Sequence, residues 1–264
     1  MFAYATLVTN ADYALGATAL ARSLKRVSAA CPLLVMAKPG TPGLDRLEAE
    51  GCIVRETGKP AMSKAFQARH SRASQHARSP FTKGEKPAFH DPIDNFMKLE
   101  LWRLTEHERI VFIDADAIAV RNIDKLFGYP EFSAAPNLYE SLADMHRMNS
   151  GVFVAQPSEN TYEGMLERLD TPDVFWRRTD QTFLESYYPD WHGLPYTYNV
   201  LQYIFFNQPD LWHWPSVKVV HYQYEKPWQR DHPKRDLLAP LIDLWYRVLE
   251  GRPIPEDIRA PAQR

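Results

Sequence analysis

The chain opens on an apolar run, Phe2-Ala3-Tyr4-Ala5-Thr6-Leu7-Val8, and residues 2–9 read as a buried strand. Asp12 stands where a helix N-cap belongs. After it, Leu15, Leu20, Leu24 and Val27, with small Ala17 and Ala21, supply an apolar helical face. Leu33-Leu34-Val35-Met36 predicts a second strand, and Pro39-Gly40-Thr41-Pro42-Gly43 breaks the chain. Leu44 and Leu47 mark a short helix and Cys52-Ile53-Val54 a third strand. This βαβαβ alternation predicts an α/β fold with a mostly parallel sheet flanked by helices. Ligands are then expected beyond the carboxyl ends of the strands.

Further along, Phe96 to Leu104 predicts an amphipathic helix leading into the strand Ile110-Val111-Phe112-Ile113. Strands are also predicted at Ile118-Ala119-Val120, Phe132-Ser133-Ala134-Ala135, Gly151-Val152-Phe153-Val154 and Val217-Lys218-Val219-Val220. Tyr162, Met165, Leu166 and Leu169 have helical spacing after Ser158, and a final helix runs from Leu237 to Leu249. The tail 253–264 is expected to fray. No internal repeat or domain boundary interrupts the pattern, so residues 1–264 read as one domain.

Composition narrows the partners. Hydrophobic residues make up 45% and charged residues 24%, an ordinary globular balance. With 31 basic against 33 acidic residues, no overall field favours nucleic acid or an anionic membrane. No stretch reaches the roughly 18 apolar residues of a membrane span, and the N-terminus lacks a signal-peptide pattern; the expectation is a cytoplasmic protein. Cys31 and Cys52 follow no metal-ligand spacing and read as buried thiols rather than a disulfide. One segment departs from the average. Residues 63–90 carry Lys64, Arg69, Arg72, Arg78, Lys83 and Lys86 against the single acid Glu85, and read as a solvated surface insertion or as a lid that attracts phosphate or carboxylate.

The candidate chemistry begins at Asp114-Ala115-Asp116, directly after the 110–113 strand. In extended chain the two carboxylates point to one side, a like-charge pair that a divalent cation would relieve. Hard oxygen ligands suit Mg²⁺ or Mn²⁺, and such a cation commonly bridges to a diphosphate; the competing reading is a solvated turn with Asp capping the next element. His221 follows its own strand in the same way. Parallel strands would bring both groups to one sheet edge, where imidazole and carboxylates can share a cation. Lys226-Pro227-Trp228, just beyond, offers a phosphate-holding charge on a rigid turn.

At this point the chain resembles the family-8 retaining glycosyltransferases, which include glycogenins and galactinol synthases. The resemblance rests on ordered motifs spanning roughly residues 2–229. These are Leu7-Val8-Thr9-Asn10 with Tyr13, Lys98-Leu99, Asp114-Ala115-Asp116, and Asn122 to Phe127. They continue with Asn149-Ser150-Gly151-Val152-Phe153, Asp180-Gln181, Tyr198-Asn199, and His221-Tyr222 leading to Lys226-Pro227-Trp228. It implies a single GT-A type, Rossmann-like domain, with residues 1–125 mainly nucleotide-binding and 126–264 mainly acceptor-binding. It also implies Mn²⁺, with Mg²⁺ an alternative, held by Asp114, Asp116 and His221, and a UDP-sugar of glucose or galactose type as donor. Leu7, Thr9, Asn10 and Tyr13 would surround the uridine, with Ala115 in the metal motif beside it. Lys226 would contact the phosphates and offset the leaving group's charge, and Lys98 would lie near the phosphates or the donor sugar, while Asn149, Asp180 and Gln181 would face the donor sugar, with Ser150 in the same donor-binding set. Gln181 and Asp180 would stabilise positive charge at the anomeric carbon.

Each residue also has a structural reading: Tyr13 as helix core, Asn149 as a turn residue, Asp180 as an N-cap, Lys98 as a solvated helix charge. A catalytically silent sugar-nucleotide-binding protein and a nucleotidyltransferase are the other functions considered, although no Gly- and basic-rich triphosphate loop occurs in residues 6–16. Tyr203-Ile204-Phe205-Phe206 stands where a glycogenin-like self-glycosylated tyrosine would be sought, which favours a separate acceptor, saccharide, polyol or phosphorylated. The basic insertion tilts this towards an anionic acceptor. Trp176, Trp191, His192, Trp212, His213 and Trp214 are either a sugar-facing wall or a packed aromatic core.

Overall fold

Side-chain alternation in the first strand sets the layering. In β1 (Phe2–Val8), Tyr4 and Val8 enter one core and Ala5 and Leu7 the other, so the sheet is covered on both faces. The computed structural model describes residues 1–78, 88–139 and 141–261. After β1 come α1 (Ala11–Arg26), β2 (Leu33–Ala37), α2 (Leu44–Ala49) and β3 (Ile53–Glu56) in the expected alternation. Then follow α3 (Lys64–Arg69), α4 (Arg72–Arg78), a 3-10 helix (Pro92–Arg103), β4 (Arg109–Ile113), β5 (Ala117–Ala119), β6 (Ser133–Pro136), β7 (Met148–Ala155), α5 (Glu159–Leu169) and α6 (Asp180–Tyr187). The chain finishes through β8 (His192–Gly193), β9 (Val200–Leu201), α7 (Ile204–Asn207), β10 (Val219–His221) and α8 (Arg235–Leu249).

Seven strands form the main sheet in the order β3-β2-β1-β4-β7-β6-β8. β1 to β4 pair in parallel, whereas β7 runs antiparallel to both β4 and β6. A second, three-stranded sheet has the order β5-β10-β9, with β10 antiparallel to β5. The predicted parallel delivery of Asp114 and His221 is therefore corrected. His221 arrives on the small sheet, in register with Ala117, immediately after the acidic motif. Helix α8 backs that sheet, burying Leu238, Leu241, Leu244, Trp245 and Val248.

Four local expectations also change. The N-cap of α1 is Asn10, whose side chain accepts from the Tyr13 amide at 3.0 Å; Asp12 lies inside the first turn. The segment predicted as an amphipathic helix is a 3-10 helix buried on nearly all sides, because its polar side chains find distant partners. Asp94 takes Lys38 at 2.8 Å and Lys59 at 2.6 Å, and Glu100 takes the Tyr162 hydroxyl. Much of the basic insertion is folded: Phe66 and His70 are fully buried, while Lys83, Glu85 and Lys86 lie outside the described residues. The tail is anchored as far as Ile258, which is buried and whose carbonyl accepts from Trp212 Nε1 at 2.7 Å.

The cysteines are free thiols, Cys52 buried and Cys31 only half-buried; burial pushes the Cys52 thiol up to about 11. Of the aromatic candidates, Trp176, Trp212 and Trp214 are buried in the core, Trp176 against Phe183 of α6 and Trp212 against Phe205 and Trp214, whereas Trp191 is half-buried and His192 and His213 are exposed. No helix of the described residues is long and apolar enough to cross a membrane.

Candidate functional site

The strand β4 ends at Ile113, and a tight turn follows in which the Ala117 amide donates to the Asp114 carbonyl at 3.0 Å. Two backbone bonds fix this turn from either side. The Asp114 amide donates to Gly151 of β7 at 2.8 Å, and the Tyr222 amide donates to the Asp116 carbonyl at 2.8 Å. Two glycines make the approach possible. A Cβ on Gly16 of α1 would stand 2.4 Å from the Ala115 carbonyl oxygen, and one on Gly151 would stand 2.3 Å from His221 Cε1. The outcome is a convergence of Asp114, Asp116 and His221, whose ligand atoms all lie within 4.8 Å of one another. His221 Nε2 is 3.3 Å from Asp116 Oδ1 and 3.8 Å from Asp114 Oδ2. Two carboxylate oxygens and one imidazole nitrogen are a donor set suited to a divalent cation of the Mg²⁺ and Mn²⁺ kind.

A buried asparagine chain orients the imidazole. His221 Nδ1–H donates to Asn199 Oδ1 at 2.9 Å, which directs the Nε2 lone pair towards the carboxylates. Asn199 Nδ2 in turn donates to Asn149 Oδ1 at 2.8 Å, an oxygen that also accepts the Gly151 amide at 2.9 Å. Asn149 Nδ2 completes the chain by donating to Asn137 Oδ1 at 3.0 Å. Asn149, expected to face a donor sugar, thus commits its amide to the frame of the site while still bordering the cleft.

Two buried lysines balance the acids. Lys98 Nζ lies 2.8 Å from Asp114 Oδ1 and 3.0 Å from Asp180 Oδ2, and Asp180 Oδ2 also accepts from Ser150 Oγ at 2.7 Å. Burial alone would lower the Lys98 pKa, but Asp114 and Asp180 raise it above the ordinary lysine value. Lys226, wholly buried, pairs with Asp116 Oδ2 and donates to the Tyr222 carbonyl at 3.0 Å. Burial would raise the Asp116 pKa, yet Lys226 and His221 hold it well below the usual carboxylate range.

Leu7, Thr9, Tyr13, Lys98, Asp114, Ala115, Asp116, Asn149, Ser150, Asp180, Gln181 and His221 all border one cleft at this edge of the sheet. Asn10 and Lys226 do not. Asn10 caps α1 and donates to the Phe89 carbonyl at 3.3 Å, and Lys226 sits behind Asp116. Tyr13 is half-buried at the cleft wall, edge-on to Phe89, with its hydroxyl 3.3 Å from His90 Nδ1. Burial, then the nearby Asp116 and Asp114, raises its pKa, so it is a neutral phenol. The Gln181 amide Nε2 is buried without a partner among the described residues.

Sequence reading did not single out Asn199 as a positioning residue, although the Tyr198-Asn199 pair carried the signal. It also passed over Arg178, half of an Arg177-Arg178 doublet that only Thr179 separates from Asp180-Gln181 and part of the cleft wall.

Comparison with known proteins places this arrangement. Residues 5–232 match the family model described as Glycosyl transferase family 8. Galactinol synthase 6 of Arabidopsis thaliana is 28% identical, over 94% of this chain and 80% of its own length. UDP-glucuronate:xylan alpha-glucuronosyltransferase 1 of the same plant is 31% identical over 86% of this chain, and the chain spans 32% of that longer protein. Among solved structures, the galactosyltransferase LgtC, in complex with donor and acceptor sugar analogs, superposes with a TM-score of 0.60. That match is 14% identical and covers 96% of this chain and 98% of LgtC, a likeness of fold. With its seven-stranded sheet matched to a GT-A neighbour and its family model spanning most of its length, this chain belongs to glycosyltransferase family 8.

Proposed function

We propose that the protein is a metal-dependent, retaining hexosyltransferase that moves a glucose- or galactose-type sugar from UDP to a separate small or saccharide acceptor. The observation carrying this reading is the convergence of Asp114, Asp116 and His221 on the cleft that Asp180 and Gln181 also border. These three residues would hold Mn²⁺, or Mg²⁺, which when bound neutralises the charge growing on the departing diphosphate. Leu7, Thr9 and Tyr13 would receive the uridine, with Tyr13 presenting its ring to the base. Asn10 contributes by fixing the start of α1, and Lys226 by keeping Asp116 ionised. Lys98, shared between Asp114 and Asp180, links the diphosphate end of the cleft to the sugar end.

Retention of configuration is assigned to front-face attack within a short-lived ion pair. The cleft carboxylates among the described residues are Asp114, Asp116 and Asp180, and none is a free nucleophile. Asp180 Oδ2 is held by Lys98 and Ser150, and its Oδ1 accepts from Thr179 Oγ1 at 2.9 Å. An engaged carboxylate can stabilise cationic character at the anomeric carbon without bonding to it. The unpartnered Gln181 amide offers a donor to a sugar hydroxyl, and its oxygen a partner for that developing charge. Tyr203, the one candidate for self-glycosylation, is buried and donates to Glu225 Oε2 at 2.7 Å, which supports a separate acceptor.

The test is UDP release from a panel of UDP-sugars by the purified protein, with Mn²⁺ and then with EDTA. Metal-dependent release from one sugar is the expected outcome and identifies the donor. Mn²⁺-dependent UDP binding without turnover over a broad acceptor screen would favour the silent, binding-only alternative. Neither binding nor release would end this reading.

A further inference from the structure

The loop that precedes α6 is held far more firmly than a connection of its length requires, and the folded part of the basic insertion holds it. His70 Nε2 accepts the Trp176 amide at 2.9 Å, and Gln75 Nε2 donates to the Trp176 carbonyl at 3.2 Å. Arg69 donates to the Val174 carbonyl at 2.7 Å, and the Arg78 guanidinium lies 3.9 Å from the centre of the Phe175 ring. At the end of the loop, Thr179 adopts φ 50° and ψ −126°, a left-handed conformation that a β-branched residue rarely takes. It is kept there by its amide N–H, which donates to the Trp176 carbonyl at 2.9 Å, and by Asn95 Nδ2, which donates to Thr179 Oγ1 at 2.9 Å. Strain of this kind persists where the surroundings over-determine it, and it fixes the directions of the residues on either side. On one side is Asp180; on the other is Arg178.

Arg178 borders the cleft, and its Nη1 is buried with no hydrogen-bond partner among the described residues. Among the described residues no cleft carboxylate pairs with it: Asp114 and Asp180 lie against Lys98, and Asp116 against Lys226. A buried guanidinium nitrogen without a partner is costly, and the planar fork matches a carboxylate or phosphate. Arg177, exposed beside it on the same wall, adds to the positive field.

We propose that Arg178 is a specificity-determining residue by which this cleft takes a sugar bearing an anionic group, a carboxylate or a phosphate. The inference rests on the nucleotide-sugar reading above. The anion has two sources, the donor sugar as a hexuronate or the acceptor as an acidic or phosphorylated sugar, and the experiment separates them.

Calorimetry with Mn²⁺ would compare the wild type with Arg178→Ala, Arg178→Gln and Arg178→Lys, each first checked for an unchanged melting temperature. In the donor arm the probes are UDP, UDP-glucose and UDP-glucuronate. In the acceptor arm, glucose and glucose 6-phosphate are titrated into the enzyme already saturated with UDP. Affinity for one anionic probe should fall about ten- to hundredfold in the Ala and Gln variants and be partly kept by Lys, with UDP and the neutral sugars unchanged. A loss confined to UDP-glucuronate assigns the anion to the donor; one confined to glucose 6-phosphate assigns it to the acceptor. If wild type favours neither anionic probe, or if UDP itself weakens as much as the sugar probes, Arg178 does not have this role. Wild-type protein that fails to bind UDP at all would overturn the nucleotide-sugar reading and this inference with it.

Discussion

At the scale of single residues, the electrostatics of the site are set by who holds whom. His221 is useful as a ligand only in the tautomer whose Nε2 carries the lone pair, and Asn199 Oδ1 selects that tautomer by accepting Nδ1–H. Asn199→Ala should weaken Mn²⁺ binding about ten- to hundredfold, the usual cost of losing such a support. Equal Mn²⁺ affinity in the alanine variant, by calorimetry, would remove Asn199 from this role. Asp116 is part of the metal candidate and also the carboxylate partner of fully buried Lys226. Asp116→Ala therefore strands a buried ammonium and should cost about 3–5 kcal/mol in urea unfolding, with Lys226→Met in the same chain recovering most of it. A cost under about 1 kcal/mol, with no recovery, would mean that the ammonium is solvated or finds another partner. The acids and the imidazole were legible in the sequence because their chemistry is rare after apolar strands. Lys98, Lys226 and Asn149 were legible as site residues too, but their pairing with the acids and with Asn199 was not, because these groups are joined only by folding.

At the scale of elements, the sequence resolved those whose apolar period is regular. The alternation of β1 and β4 and the face of α1 match the cores they enter. It misjudged elements stabilised by distant polar contacts. The α3–α4 segment is basic enough to look solvated, yet His70 lies between Phe66 and Phe175 and accepts the Trp176 amide. Burial lowers the His70 pKa from its ordinary 6.5 to about 4, because the folded state needs the neutral ring. The unfolded chain then binds the proton first, so stability should fall as pH drops from 6.5 towards 4 and be fully present above 6.5. His70→Gln can still accept the amide but does not titrate; it should flatten this acid limb in melting curves across that range. An unchanged limb would place the titrating group elsewhere. The 3-10 helix Pro92–Arg103 was misread for the same reason, since the charges of Asp94, Lys98 and Glu100, all buried here, would seek solvent in any isolated helix.

At the scale of the whole molecule, the cleft draws on both sheets. The acids leave β4 of the main sheet, and the imidazole arrives on β10 of the small one. A ligand seated there ties the two sheets together and should stabilise the chain as a unit. Mn²⁺ with UDP at about 100 times its dissociation constant should add about 2.7 kcal/mol, read as a rise in melting temperature that EDTA reverses. A rise with UDP that is unaffected by EDTA would separate nucleotide binding from the metal.

The order of residues along the chain was enough for the strand-helix alternation, the acidic motif at a strand end, and a succession of motifs specific enough to indicate the glycosyltransferase family. These are local or serial properties, written in the period of apolar residues and the rarity of their combination. Folding alone settled that His221 comes from a second sheet, that two lysines and three asparagines frame the candidate metal ligands, and that α3–α4 grips the loop carrying Arg178. Those contacts join residues far apart in the chain, and their energies exist only when burial removes the water that would otherwise satisfy each group.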